Sequence, residues 1–183
     1  MEIKSSIIIA FTLLGLAGCA TNQAPDVAGQ IRNNLKQSGL NDVSVSQDRT
    51  KGVVTLGGSV AQDADKARAD QIAKSMAQGQ VVADEIAVLP KGDVTEAKKV
   101  DSDLDKGIEA NLDAAMTQSN IKGVRHDTKN GVVTLSGELP TPAMRADAER
   151  LAAAVPNVQQ VVNKIDVKNQ RATSSSSADR SKQ

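Results

Sequence analysis

The sequence predicts an α+β protein of two tandem αββαβ units, each a three-stranded mixed sheet with two helices on one face. Three observations carry this. First, Gly52-Val53-Val54-Thr55-Leu56-Gly57-Gly58 returns as Gly131-Val132-Val133-Thr134-Leu135-Ser136-Gly137, an offset of 79 residues (131 − 52 = 79). Second, the register holds downstream without a gap, so that Ala69 falls on Ala148, Ile72 on Leu151, Val82 on Val161 and Ile86 on Ile165. A fixed period of this kind marks a duplicated supersecondary unit. Third, apolar spacing within each copy switches between helical and strand periods in the order helix, strand, strand, helix, strand. Upstream of the glycine motif the offset becomes 77, aligning Ile31-Arg32-Asn33-Asn34-Leu35 with Ile108-Glu109-Ala110-Asn111-Leu112 (108 − 31 = 77) and placing two extra residues in a loop of the second copy.

In the first copy Asp26 stands as a helix cap before Val27, Ile31 and Leu35, and Gly39 ends that helix. Val43 and Val45 alternate with serines as a strand; residues 48–52 form the hairpin connection and 53–60 the return strand. Alternation turns Val54 and Leu56 toward the core and Val53 and Thr55 outward. A helix over 63–77 carries the stripe Ala69, Ile72, Ala73 and Met76, and residues 81–89 give the third strand with Val82, Ile86 and Val88 on one face. Strands two and three are joined through a helix, so they are expected to be parallel neighbours with a right-handed crossover.

The second copy repeats the plan. Leu104, Ile108, Leu112 and Met116 line its first helix, and Ile121 and Val124 flank a short strand. Residues 127–131 turn the hairpin, and Thr141-Pro142 starts a helix buried through Ala148, Leu151, Ala152 and Val155. Val161, Ile165 and Val167 close it. The units are therefore placed at 26–90 and 102–168, with a charged linker at 91–101 whose Ala97 and Val100 keep helical spacing. Residues 169–183, with the run Ser174-Ser175-Ser176-Ser177, offer nothing to bury and are expected to be disordered.

The amino end is of a different kind. A short polar start, the apolar run from Ile7 to Leu16 and small residues thereafter read as a signal peptide over 1–18. Leu16-Ala17-Gly18-Cys19 resembles a bacterial lipobox, which implies cleavage before Cys19 and acylation of it. Several acyl chains anchor a protein stably where one is marginal. Residues 19–25 then form a tether, and Ala20 following the cysteine resembles the sorting signal of a lipoprotein sent to the outer membrane.

Composition excludes several functions. The chain carries 22 basic and 22 acidic residues, interleaved, so it lacks the basic footprint of a nucleic-acid binder. Its last aromatic side chain is Phe11, which removes base-stacking and sugar-stacking platforms. One cysteine and one histidine, His126, supply neither a nucleophile–base pair nor the ligands a metal site commonly needs, so no catalytic residue, metal or cofactor is expected. His126 is expected to sit in a solvated turn. Asp63/Asp65 and Asp101/Asp103/Asp105 are expected at helix starts, where carboxylates favour the exposed amides. Asp101–Asp105 opens like a calcium loop, but position twelve is Leu112 instead of Glu. The one open cluster is Lys122, Arg125 and Lys129 in the second unit, where exposed bases near an anionic leaflet would each contribute on the order of 1 kcal/mol. Arg145, on the following helix, is a further candidate contact.

The αββαβ order, the Gly-Val-Val-Thr-Leu-x-Gly signature and the Val-x-x-Val near each last strand resemble the BON domain of bacterial osmotic-stress and nodulation proteins. Gly52, Gly58, Gly131 and Gly137 stand where that family's strand-bounding glycines stand. With the lipobox, the chain resembles a dual-BON outer-membrane lipoprotein. The resemblance implies a non-enzymatic stress-response protein, anchored in the outer membrane and facing the periplasm, that binds phospholipid, often anionic, and supports envelope integrity. The alternative reading is a periplasmic adaptor or chaperone-like factor that binds an envelope protein partner and has no lipid selectivity.

The anchor makes a direct prediction. Wild-type cells fed labelled palmitate should incorporate the label into this protein, and Cys19→Ala should abolish incorporation and leave the precursor uncut. Label retained by Cys19→Ala would overturn the lipobox reading.

Overall fold

The computed structural model describes residues 23–89, 94–167 and 173–176; the expected signal peptide, Cys19, the start of the linker and most of the tail lie outside them. The first unit runs α1 (Ala28–Gln37), β1 (Val43–Asp48), β2 (Val53–Val60), α2 (Asp63–Met76), β3 (Val81–Asp84) and β4 (Ala87–Val88). The second runs α3 (Val94–Gln118), β5 (Val124–Lys129), β6 (Val132–Gly137), α4 (Pro142–Ala153) and β7 (Gln160–Asn163), followed by β8 (Thr173–Ser176). In each unit an antiparallel hairpin is joined on its inner strand by a parallel third strand: β1 pairs β2 and β3 pairs β2, while β5 pairs β6 and β7 pairs β6. The two tandem αββαβ units and their mixed sheets are as the sequence predicts.

Each sheet carries its helices on one face. Val27, Ile31 and Leu35 meet Val54, Leu56, Val82 and Ile86 over Ala69 and Ala73 in the first core. Ile108, Leu112 and Met116 meet Val133, Leu135, Val161 and Ile165 over Ala148 and Ala152 in the second. The close helix–sheet approach follows from alanine at the contact positions of α2 and α4, which lets the backbones come near without a void.

Several local expectations are corrected. The first helices correspond at an offset of 81 (108 − 27 = 81), Val27 with Ile108, Ile31 with Leu112 and Leu35 with Met116, because the chain-reversing residues Gly39 and Asn120, both at positive φ, are 81 apart (120 − 39 = 81). The 77-residue alignment is one helical turn out of register, a slip that an i, i+4 pattern cannot reveal. The two-residue difference therefore lies in the hairpin. Residues 49–52 link β1 to β2, but only Asn130 and Gly131 link β5 to β6, both at positive φ as a two-residue hairpin turn requires. It is the second copy that has the shorter loop. Asp26 does not cap α1; Gln47 of β1 does, its Oε1 accepting from the Val27 and Ala28 amides at 3.1 and 3.2 Å. Thr141 does cap α4, accepting from Met144 N at 3.2 Å ahead of Pro142.

The stretch 81–89 is broken into β3 and β4, because Asp84 Oδ1 accepts from Ile86 N at 3.2 Å and draws the backbone out of the ladder. The linker is helical from Val94, so Asp101, Asp103 and Asp105 fall inside α3 rather than at its start. Asp103 pairs with Lys99 and Lys106 along the helix, while Asp105 accepts from the Asn130 and Gly131 amides at 2.8 and 2.9 Å and holds the tight hairpin. Within the serine-rich tail, Thr173–Ser176 pair antiparallel with β7, since an open strand edge needs only backbone partners.

The largest departure concerns the outer faces. Val53, expected to face outward, does leave its own core, but it is 0% exposed. Val53 and Ala83 pack against Val132 and Val162 of the other unit, with Val81 beside them. The two sheets lie back to back and the protein is a four-layer α/β/β/α sandwich. Gln160 of β7 fastens the seam by clamping the edge of β3: its Nε2 donates to Val82 O at 2.7 Å and its Oε1 accepts from Asp84 N at 3.1 Å.

Gly58 and Gly137 explain their place in the repeated motif. Both have positive φ, and a Cβ at either would lie 2.1 Å from a backbone carbonyl, that of Asp42 or of Gly123. Neither backbone can yield without breaking the hairpin. Gly58→Ala and Gly137→Ala should each cost more than about 1 kcal/mol in urea unfolding, whereas Gly29→Ala, with open space around it, should not destabilise. Equal behaviour of the three would refute this account.

Candidate functional site

The basic cluster of the second unit lies on and just before β5. Lys122 and Arg125 are exposed and form no ion pair among the described residues. Lys129 differs: its Nζ is 3.3 Å from Glu85 Oε2 of the first unit, so it is a seam residue. His126 is not in a turn. It sits on β5 with its side chain 14% exposed, Nε2 lying 2.9 Å from Asp113 Oδ1 of α3. Sequence alone hid this, because β5 runs through Lys129 where a turn was expected.

Arg145 is removed from the surface candidates. It is only 3% exposed, and its Nη2 donates to Asn163 O at 3.0 Å. Asn163, fully buried, donates to Arg145 O and to Glu149 Oε2, both at 3.1 Å, and accepts from Ile165 N at 3.2 Å. The guanidinium thus tethers α4 to β7 and cannot reach a headgroup.

The first unit has the same arrangement with different chemistry, and sequence reasoning missed it. Lys66, Asp70 and Asp84 stand 79 positions before Arg145, Glu149 and Asn163. Lys66 Nζ donates to Ile86 O at 2.9 Å, and Asp84 Oδ1 receives the Ile86 amide as Asn163 receives that of Ile165. Burial pushes the Asp84 carboxyl above its ordinary range, with the Lys66 charge opposing. The repeat register was the signal that could have found the pair of centres, since aligned polar residues on inward-facing positions are rarely idle.

One concavity is a cleft between the units, of about 470 Å³. The start of α2 and β4 form one wall; α3, the Asn130-Gly131 turn and the α4–β7 loop form the other. Among the described residues no group of three His, Cys, Asp or Glu side chains is placed to hold a metal ion, and no helix is long and apolar enough to cross a membrane.

The chain is 31% identical over 139 residues to osmotically-inducible protein Y of Escherichia coli (strain K12), a match covering 74% of this chain and 65% of that protein. Among solved structures, two of CdsD, a structural protein of the type III secretion system of Chlamydia trachomatis, align over 76% and 77% of this chain and 64% and 91% of theirs. Identity is 13% and TM-scores are 0.30 and 0.34.

Asp84 yields a pH-dependent prediction. A carboxyl with a raised folded-state pKa disfavours the fold once it must ionise, so its cost is absent below the unfolded value near 3.8 and grows as pH rises past it. Asp84→Asn, the residue the second unit already uses, should therefore raise the melting temperature at pH 7, with the gain fading toward pH 3.5. A gain independent of pH would show that desolvation of the carboxylate is not the cause.

The BON domain model matches residues 23–90 and 101–169, together most of the chain, and this protein belongs to the BON-domain family.

Proposed function

We propose that this is a non-enzymatic, lipid-anchored protein of the outer membrane, facing the periplasm, which binds phospholipid through its second unit and supports envelope integrity under osmotic stress. The observation that carries the reading is the pair Lys122 and Arg125: exposed cations just before and on an edge strand, with no ion-pair partner among the described residues, while Lys129 nearby is engaged by Glu85. The relative's name, an osmotically inducible protein, supports the stress context. The Cys19 anchor would hold the second unit within reach of a leaflet, where the attraction is additive in nearby charge and screened within about 8 Å at physiological salt. Envelope adaptor activity is the alternative, supported by the inter-unit cleft.

The test is flotation of the mature chain, made unanchored by Cys19→Ser, on phosphatidylglycerol and on phosphatidylcholine vesicles. Binding should be selective for the anionic vesicles, fall severalfold from 50 to 300 mM salt, and be lost in Lys122→Ser/Arg125→Ser. Lys129→Ser should instead leave vesicle binding largely unchanged and, its pair with Glu85 being exposed, alter stability little. Failure to float on either vesicle would favour the adaptor.

A further inference from the structure

Among the described residues the edges of β1, β3, β5 and β7 are each met by groups of the protein itself, β8 becoming the outer strand of the second sheet, whereas that of β4 is not. At β1 the Val45 carbonyl accepts from Arg32 Nη2 at 2.9 Å, and at β5 the Thr128 amide reaches Glu109 Oε1 at 3.4 Å. The β3 edge is clamped by Gln160, and the β7 edge is paired with β8. Capping edges in this way is how sheets avoid adventitious pairing. The short β4 is the exception. The Glu85 and Leu89 amides point to β2, donating to Leu56 O at 2.9 Å and Val60 O at 2.8 Å. Alternation turns Ile86 and Val88 the other way. The Ile86 amide is taken by Asp84 and its carbonyl by Lys66. Val88 is the next group along that edge, and Ala87 and Val88 line the inter-unit cleft.

The opposite wall of the cleft is not designed for water alone. Leu104 of α3 lines it and is 45% exposed, one of three large apolar side chains left exposed among the described residues, with Val94 and Val100 of the same helix. The cleft is also acidic. Asp105 is engaged by the hairpin amides and Lys66 by Ile86 O, but Asp63 and Asp101 line the same space and, among the described residues, make neither an ion pair nor a side-chain hydrogen bond. An open strand edge, an apolar helix wall and two unneutralised carboxylates are the components of a site that adds an extended peptide as a further strand.

We propose that the cleft between β4 and α3 binds an extended, basic peptide segment of a partner protein. The backbone of the segment would pair with Val88, its small apolar side chains would cover Leu104, and its lysine or arginine side chains would meet Asp63 and Asp101. This goes beyond the lipid reading and does not depend on it, since Lys122 and Arg125 are not part of the cleft.

The test uses the isotope-labelled mature chain with Cys19→Ser and three blocked hexapeptides: Lys-Val-Lys-Val-Lys-Val, Glu-Val-Glu-Val-Glu-Val, and Lys-Pro-Lys-Pro-Lys-Pro, which keeps the charge but lacks alternate ladder amides. Amide chemical shifts follow binding. The first peptide should cause saturable shifts at Ala87, Val88 and Leu104, and the other two should bind at least tenfold more weakly. Asp63→Lys/Asp101→Lys should weaken the first peptide at least tenfold, at a cost of no more than a few degrees in melting temperature from placing a lysine in the first turn of α2. Val88→Pro, which removes the outward amide and leaves the β2 ladder intact, should do the same. Equal binding of the two lysine peptides, shifts that map away from β4 and α3, or full binding by the charge-reversed variant would overturn the proposal. So would a Leu104→Ser variant that loses vesicle flotation while binding the peptide unchanged, since that would assign the exposed wall of α3 to the membrane.

Discussion

The rest of the structure depends on the seam where the two sheets meet. A three-stranded sheet with helices on one face has a second face to cover, and a unit of roughly 65 residues buries too little surface to leave that face bare. Each unit solves the problem for the other. The seam is pseudo-symmetric: Val53 and Ala83 of the first unit have as counterparts Val132 and Val162 of the second, each 79 positions on (132 − 53 = 79), so a single patch meets its own copy as in a two-fold dimer. Duplication in one chain makes that contact intramolecular, and the effective concentration of the partner face becomes high.

The rim of the seam shows why the pairing is between unlike copies. Glu85 of the first unit meets Lys129 of the second, and Asp48 of the first lies 4.0 Å from Lys164 of the second. Glu85 and Lys164 are counterparts, as are Asp48 and Lys129, so the two pairs are one contact written twice with its charges exchanged (164 − 85 = 79; 129 − 48 = 81). Two first units pairing by the same patch would oppose Asp48 to Glu85, and two second units would oppose Lys129 to Lys164. Such exposed pairs add little stability. Their effect is on partner choice, because like charges penalise the homotypic arrangements. Lys51 with Asp166 adds a further cross-unit pair at the same rim.

Much of this was legible from sequence, and the failures have a common origin. The repeat, the hairpins and both helix-side cores follow from spacing alone, since Val54, Leu56, Val133 and Leu135 alternate as half-buried strands must. Periodicity, however, cannot count turns. Val27-Ile31-Leu35 matches Ile108-Leu112 equally well when slipped by four residues, and only the position of the reversing residue fixes it. Nor can it see tertiary neighbours. Arg145, Lys129 and Lys122 look alike in sequence; burial beside Asn163, a carboxylate across the seam and open solvent make them a tether, a rim residue and an exposed cation.

The same reasoning shows how two copies of one fold come to differ. The polar centre at the end of the third strand keeps its geometry in both, a backbone amide two residues on held by the side chain of Asp84 or Asn163, because that bond is what breaks the strand and directs the chain past the helix. Its charge is free to vary. Around that shared break the first unit has an open strand edge at β4, whereas the second has β8 along the edge of β7 and a first helix of 25 residues against the first unit's 10. The extra length of α3 lies on the amino-terminal side, where it has no sheet of its own to cover and instead stands beside β4. Seam formation thus covers equivalent faces of the two units, and what stays exposed includes features that are not equivalent: the β4 edge, the α3 wall and two cations of β5 and its approach. Divergence after duplication is unconstrained by packing at just those places, and it is there that the structure leaves chemistry unspent.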